Sequence, residues 1–215
     1  MLKQFMQNCA YPQGVSGSLM LSLMNAGHTP IAKWALAYLS VKPHDHILDI
    51  GCGGGKNIAR MLKLASHGQV DGLDYSEVSV LKSLLVNARA VQAGRTQIIK
   101  GSVSKMPFAD GAFDIVTAFE TIYFWPDLER DFVEVCRMLK PNGRFLICNA
   151  MQTQKSDKQA ANFWTKMVNL NLYENSHLKS VLEKSGFRDV EFITDNKQKK
   201  LCVIARKALE NLSIF

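Results

Sequence analysis

The stretch Ile47-Leu48-Asp49-Ile50-Gly51-Cys52-Gly53-Gly54-Gly55-Lys56 sets a short apolar run directly against four glycines. Ile47 to Ile50 reads as a short buried strand, and the periodic apolar positions from Ile58 to Leu64 read as the helix that follows it. Between them the glycines let the backbone turn tightly and come close to a ligand, where a Cβ would stand in the way. The helix start beside the loop offers N–H groups with no partner inside the helix. Taken alone, such a loop is also compatible with a tight turn that binds nothing.

Working outward, Val70 to Leu73 reads as a second strand ending at Asp74, and 74 − 51 places that carboxylate 23 residues after the first glycine. In a sheet of this kind the carboxylate comes to lie beside the loop, where it can accept bonds from both hydroxyls of a ribose. A lone Asp at a strand end more often caps a helix, a role for which Ser76 competes. The pairing with the glycines favours the ligand. The glycine spacing narrows the ligand further. A dinucleotide loop has G-x-G-x-x-G, with pyrophosphate on the helix N-terminus. Here the glycines fall at 51, 53, 54 and 55, and Lys56 follows. Asp49, ahead of the loop, would repel a pyrophosphate and suits the cationic ammonium of a methionine-like ligand.

The rest of the chain alternates. Val78 to Val91 has a helical period, Gln97 to Lys100 and Ile115 to Phe119 read as the third and fourth strands, and Leu128 to Leu139 as a helix stopped by Pro141. Asn142-Gly143 is a turn, and Arg144 to Cys148 is the fifth strand. Ala160 to Leu172 and Leu178 to Lys184 read as helices, the second closed by Gly186. Val190 to Ile193 and Leu201 to Ala205 form a hairpin through Asp195-Asn196-Lys197-Gln198. Ahead of the first strand lie two helices, one with Met20, Leu23 and Met24 on a shared face, the other with Ile31, Trp34, Ala35 and Tyr38 after Pro30; Asn25-Ala26-Gly27-His28 separates them. Strands alternating with helices imply a mostly parallel α/β sheet covered on both faces, with the hairpin adding an antiparallel edge strand.

In series these motifs resemble those of the class I S-adenosylmethionine-dependent methyltransferases, in the type 11 group that includes quinone-biosynthesis enzymes. Asp49-x-Gly51-x-Gly53-x-Gly55 matches that family's first motif. Gly101-Ser102-Val103, Met106-Pro107-Phe108 and Phe113-Asp114-Ile115-Val116 resemble its third- and fourth-strand motifs, and Leu139-Lys140-Pro141-Asn142-Gly143 the loop before its fifth strand. Gly186-Phe187 and the final hairpin also fit, so the resemblance runs from about His46 to Lys207. It implies a Rossmann-like seven-stranded, mostly parallel sheet. It further implies one methyltransferase domain over 1–215: an N-terminal helical cap (1–45), a cofactor-binding core (46–150), a helical insertion or lid (151–188) and a terminal hairpin (189–207). The cofactor implied is S-adenosylmethionine, with S-adenosylhomocysteine as product. The residues implied to bind it are Asp49, Gly51, Cys52, Gly53, Gly55, Asp74, Tyr75, Ser76, Ser102, Val103 and Phe119. Ser102 departs from the acidic residue the family often has there for the adenine amine.

The reaction so implied is in-line displacement at a sulfonium, in which the protein mainly aligns donor and acceptor in a dry site. A base is needed only where the acceptor must lose a proton. Glu120, Tyr123 and His28 are the weak candidates, each with a bland alternative: a structural bond, packing, or a helix cap. Phe119, Tyr123, Phe124 and Trp125 either wall the acceptor pocket or belong to the core. An apolar wall fits a small hydrophobic acceptor such as a quinone or lipid.

Composition sets the outer bounds. A chain of 215 residues, 47% hydrophobic and 21% charged, holds one substantial core. The formal charge of +7 is spread without a like-charged block, its densest patch being Lys197-Gln198-Lys199-Lys200, which reads as solvated surface rather than as a nucleic-acid stripe. Cys9, Cys52, Cys136, Cys148 and Cys202 are odd in number and include no CxxC pair, so they read as small hydrophobes in a reducing compartment, with no metal site. Met1 to Gln13 has no signal-peptide core and Val15 to Met24 is too short to span a bilayer, which together point to the cytoplasm. Three other readings remain at this level: a nucleotide-dependent oxidoreductase, a non-catalytic S-adenosylmethionine-binding module, and a nucleic-acid or protein methyltransferase. The resemblance implies calorimetric binding of S-adenosylmethionine and the glycine spacing none of NADH; the reverse result would overturn both.

Overall fold

The computed structural model describes residues 8–150, 170–195 and 200–209. Within them α1 (Gly14–Gly27) and α2 (Thr29–Leu36) precede β1 (His46–Ile50). Then follow α3 (Lys56–Leu64), β2 (Gln69–Asp74), α4 (Glu77–Val86), α5 (Ala88–Gln92), β3 (Ile98–Lys100), β4 (Phe113–Phe119), a single 3₁₀ turn at Ile122–Phe124, and α6 (Leu128–Met138). The chain continues through β5 (Leu139–Asn149), α7 (Asn175–Lys184), β6 (Phe187–Asp195) and β7 (Lys200–Lys207).

The seven strands form one sheet in the order β3-β2-β1-β4-β5-β7-β6. The first five pair in parallel, and β7 runs antiparallel to both of its neighbours. The fold class read from the sequence is therefore the one observed, with one change. The antiparallel strand is not at the edge: β7 lies inside and β6 takes the border. Residue chemistry explains the swap. Leu201, Cys202, Val203 and Ala205 of β7 are buried in near succession, as a strand covered on both faces requires, whereas β6 alternates polar and half-buried positions that tolerate an open edge.

Period-two alternation along β1 sorts the core. Leu48 and Ile50 point to one face, where they meet Phe113, Phe132, Val135 and Phe145 together with Leu178 and Val181 of α7. Ile47 points to the other, against Ile31 and Ala35 of α2 and Ile58 and Met61 of α3. Helices thus cover both faces. The strand order reverses at β1, with β2 on one side and β4 on the other, so a crevice opens at the carboxyl ends of these strands.

Three local expectations change. The single helix read over 78–91 is two, because Asn87 breaks it with φ −110° and sends its side-chain Nδ2 to the carbonyls of Gly55 and Ser83, both at 3.0 Å. In α1 the buried face is Gly17, Met20 and Leu21, while Leu23, expected alongside Met20, is 56% exposed. Strand five begins at Leu139 rather than Arg144, pairing with Phe113 before an irregularity in register. Of the helix read over 160–172, residues 160–169 lie outside the described residues, and 170–172 are not helical. Residues 196–198 of the hairpin turn also lie outside, although Asp195 and Lys200 are paired across it. All five cysteines are free, three buried and Cys9 and Cys136 partly so.

Asn87 is buried and supplies a donor to the glycine loop. Asn87→Ala is expected to cost about 1–3 kcal/mol, a fall in Tm of roughly 2–12 °C for a chain of this size. Thermal denaturation followed by circular dichroism checks this; an unchanged Tm would mean the bond holds nothing.

Candidate functional site

The site is built on backbone before side chains. Gly51, Gly53 and Gly55 all lie in the left-handed region, with φ of 68°, 51° and 75°. The N–H groups of Gly51 and Cys52 both donate to the carbonyl of Leu73, at 2.7 and 3.1 Å, which ties the turn to the end of β2. Gly51 and Gly55 are required for different reasons. A Cβ at Gly51 would sit 2.4 Å from Oγ1 of Thr121, on the turn that follows β4, and one at Gly55 would sit 2.3 Å from Oγ of Ser83 in α4. Gly51 thus keeps two crevice walls in contact, and Gly55 seats α3 on α4.

Asp74 joins the loop to the second strand. Its Oδ2 accepts from the Gly53 N–H and its Oδ1 from the Ser76 N–H, each at 2.9 Å. Burial pushes its carboxyl up, opposed by those two bonds. Asp49 sits differently. It is 1% exposed, beneath the loop rather than on the crevice wall, and accepts from the Thr117 hydroxyl at 2.7 Å. Burial pushes its carboxyl up to about 7, partly countered by that hydroxyl and by Arg60.

Two adjoining cavities share Gly51, Asp74, Tyr75, Thr121 and Phe124. The larger, about 290 Å³, is lined by the apolar side chains of Ile50, Leu73, Val103, Trp125 and Pro126 together with Ser102. The smaller, about 90 Å³, is enclosed by Cys52 and Gly53, by Phe119 and Glu120, and by Cys9, Pro12, Leu21, Met24 and His28 from the N-terminal section. Of the cofactor-site residues expected from the sequence, Gly51, Cys52, Gly53, Asp74, Tyr75, Ser102, Val103 and Phe119 line one cavity or both. Asp49, Gly55 and Ser76 do not. Ser76 is buried, caps α4 by accepting from the Ser79 N–H at 3.3 Å, and donates to the Pro12 carbonyl at 2.7 Å. Tyr75 stacks on Tyr11 with ring centroids 5.0 Å apart, and its hydroxyl donates to the Ala10 carbonyl. The N-terminal section is thereby fastened over the end of β2.

The candidate bases separate as well. Glu120 has φ 58°, a conformation non-glycine residues seldom adopt, and it faces the smaller cavity. Its Oε1 accepts from the Ala150 N–H, and the Tyr123 hydroxyl also bonds to it. Burial pushes its carboxyl up to about 8. His28 lines the same cavity, and burial lowers its imidazole. Tyr123 is 3% exposed, packs with Leu170, and lines neither cavity. Of the aromatic cluster, Phe119 and Phe124 reach the smaller cavity and Phe124 and Trp125 the larger, so wall and core readings both apply. Thr121 escaped the sequence reading. Its signal is faint, a small polar residue just past a strand, yet it packs on Gly51 and accepts from Nε1 of Trp125 at 3.1 Å. Asn57 and Leu21 were missed because only folding brings them to the crevice.

Residues 48–147 match the family model described as "Methyltransferase domain". The chain is 29% identical over 178 residues to the O-methyltransferase resE of Aspergillus sclerotiorum, covering 80% of this chain and 67% of that protein. It is 30% identical over 162 residues to sterol methyltransferase-like 2 of Botryococcus braunii, covering 75% of this chain and 40% of that one. The chain therefore spans two thirds of one of these relatives and less than half of the other. Among solved structures, a SAM-dependent methyltransferase from Aquifex aeolicus superposes with a TM-score of 0.73 at 18% identity, covering 88% of this chain and 97% of that one.

The raised Glu120 carboxyl has a consequence for stability. The folded state keeps this proton up to about pH 8, whereas a carboxyl in the unfolded chain loses it near 4.5. Stability is then full below the lower value and falls as pH rises through the higher one. Glu120→Gln is expected to flatten this fall, raising Tm by a few degrees at about pH 9 and hardly at all at about pH 4. Melting curves across the range check it; parallel profiles for the two proteins would mean that Glu120 titrates normally.

Proposed function

We propose, from the premise that this chain belongs to the class I S-adenosylmethionine-dependent methyltransferases, that it moves a methyl group from S-adenosylmethionine to a small, largely apolar acceptor. One observation carries the reading: the Asp74 carboxylate, locked by the Gly53 N–H, borders both cavities at once. A carboxylate there has lone pairs left for a ribose diol. The apolar lining of Ile50, Leu73 and Val103 in the larger cavity suits a purine, and the glycine backbone that borders the smaller suits an amino-acid chain. The donor set therefore fits the cofactor. When bound, S-adenosylmethionine supplies a methyl group on a good leaving group.

The chain's own contribution is alignment and exclusion of water. Phe119, Phe124, Leu21 and Met24 wall the smaller cavity with apolar surface, which supports a hydrophobic acceptor; the name of the sterol methyltransferase-like relative agrees with that class. For a hydroxyl acceptor, the place of His28 in the smaller cavity and its burial favour it as the base. Its imidazole is held neutral and can take a proton, whereas Glu120 retains its own proton at neutral pH and is better suited to donate a hydrogen bond. We assign the cofactor to the core, residues 46–150, and acceptor choice to residues 1–45 and 151–188. Asp49 and Gly55 support the loop from behind, and Ser76 holds the N-terminal section over it.

Asp74→Ala is expected to weaken S-adenosylmethionine binding by roughly tenfold to a hundredfold, since one or two charged hydrogen bonds are lost. Isothermal titration checks this, alongside an assay of S-adenosylhomocysteine release with phenolic, quinol and sterol acceptors. Unchanged affinity would remove Asp74 from the site. Intact binding with no turnover on any acceptor class would favour a binding module over an enzyme.

A further inference from the structure

The outer face of the N-terminal section is apolar where a free surface is ordinarily polar. Helix α1, over residues 14–27, contains no charged residue. Its inner side supplies Leu21 and Met24 to the smaller cavity, yet Val15, Leu19 and Leu23, four residues apart and so on one stripe, are 90%, 56% and 56% exposed. Helix α4 packs against α1 and shows a second stripe, Leu81 and Leu85, at 55% and 76%. The Tyr11–Tyr75 stack joins the heads of the two helices. Scattered exposed apolar residues need no explanation, but two adjoining stripes do.

Surface charge along the same half of the chain is unbalanced, which the even spread of basic residues along the sequence conceals. Residues 1–109 hold eleven lysines and arginines against five carboxylates. Four of those, Asp45, Asp49, Asp71 and Asp74, are buried, leaving Glu77 at the surface, and it pairs with Lys100 at 3.1 Å. Lys82 follows directly after Leu81, and Arg89 stands exposed one turn past Leu85.

We propose that the outer face of α1 and α4 docks on an anionic lipid surface. Apolar side chains at the centre with cations around them, on a helix that does not span, are what an interfacial membrane contact requires. A nucleic-acid face would set cations and aromatic rings at the centre and would not present aliphatic stripes. No helix among the described residues is long and apolar enough to cross a membrane, so the contact proposed is peripheral. It would place the opposite side of α1, and with it the smaller cavity, directly above the bilayer from which an apolar molecule could enter.

The test uses the full chain and extruded vesicles, either pure phosphatidylcholine or with about 30% phosphatidylglycerol. Co-sedimentation is expected with the anionic vesicles, to weaken at high salt, and to be slight with the neutral ones. Leu19→Gln with Leu23→Gln, and separately Lys82→Glu with Arg89→Glu, should each reduce vesicle binding by about tenfold or more. All four positions lie outside the cavities, so melting temperature and calorimetric affinity for S-adenosylmethionine should stay unchanged, keeping this result independent of the methyltransferase reading. Three results would overturn the proposal: no sedimentation with anionic vesicles; binding that survives the double leucine change; or a dimer, seen by light scattering, that those changes dissolve. Salt-sensitive binding to RNA in preference to vesicles would overturn it in favour of a nucleic-acid face.

Discussion

The turn between β1 and α3 is pinned to the neighbouring strand, and the site depends on that pin. Three backbone N–H groups do it: those of Gly51 and Cys52 on the Leu73 carbonyl, and that of Gly53 on the Asp74 carboxylate. Each of these needs a left-handed or closely packed backbone that a side chain at Gly51 or Gly55 would prevent. Once the turn is held, the end of β2, the start of α3 and the turn after β4 are fixed relative to one another. The crevice is the space they leave.

Buried acid is the second organising feature. Asp49, Asp74 and Glu120 all stand where burial disfavours their charge, and each is partly relieved by donors: the Thr117 hydroxyl, the Gly53 and Ser76 N–H groups, and the Ala150 N–H with the Tyr123 hydroxyl. Such an arrangement costs stability in a protein that binds nothing there. A cationic ligand would lower that cost. The strained backbone of Glu120 points the same way, because a non-glycine residue is held at positive φ only where its surroundings over-determine it.

Much of this was legible early because periodicity and glycine spacing report on local backbone. The strand–glycine–helix unit, Asp74 at the end of β2, and the alternation of elements all follow from interactions within a few residues or from the rule that parallel strands require crossovers. Where the reading slipped, a contact distant in sequence had intervened. Asn87 interrupts a helical pattern to reach Gly55, 32 residues away. Helix α1 carries no charged residue to mark its solvent side, so Leu23, read on one face with Met20 and Met24, faces solvent while Met20 is buried. Thr121 gains importance only from its approach to Gly51.

The sequence by itself determined the fold class and the strand–glycine–helix unit with Asp74 at the end of the next strand, since these are carried by local pattern and by motifs in series. It did not determine which carboxylates face the crevice. Asp49 and Asp74 are both acids beside the same glycines and on the same face of the sheet, and only their place along it separates them: Asp74 lies two residues beyond Gly72, the partner of Asp49, at the open end of β2 where the cavities begin. Nor did it determine which strand of the final hairpin lies inside, which was decided by burial on both faces of β7. The same holds for charge. Basic residues spaced evenly along the chain are left without nearby surface acids over residues 1–109 only because folding drew four of the first five carboxylates into the interior, and burial is a property of packing and not of order along the chain.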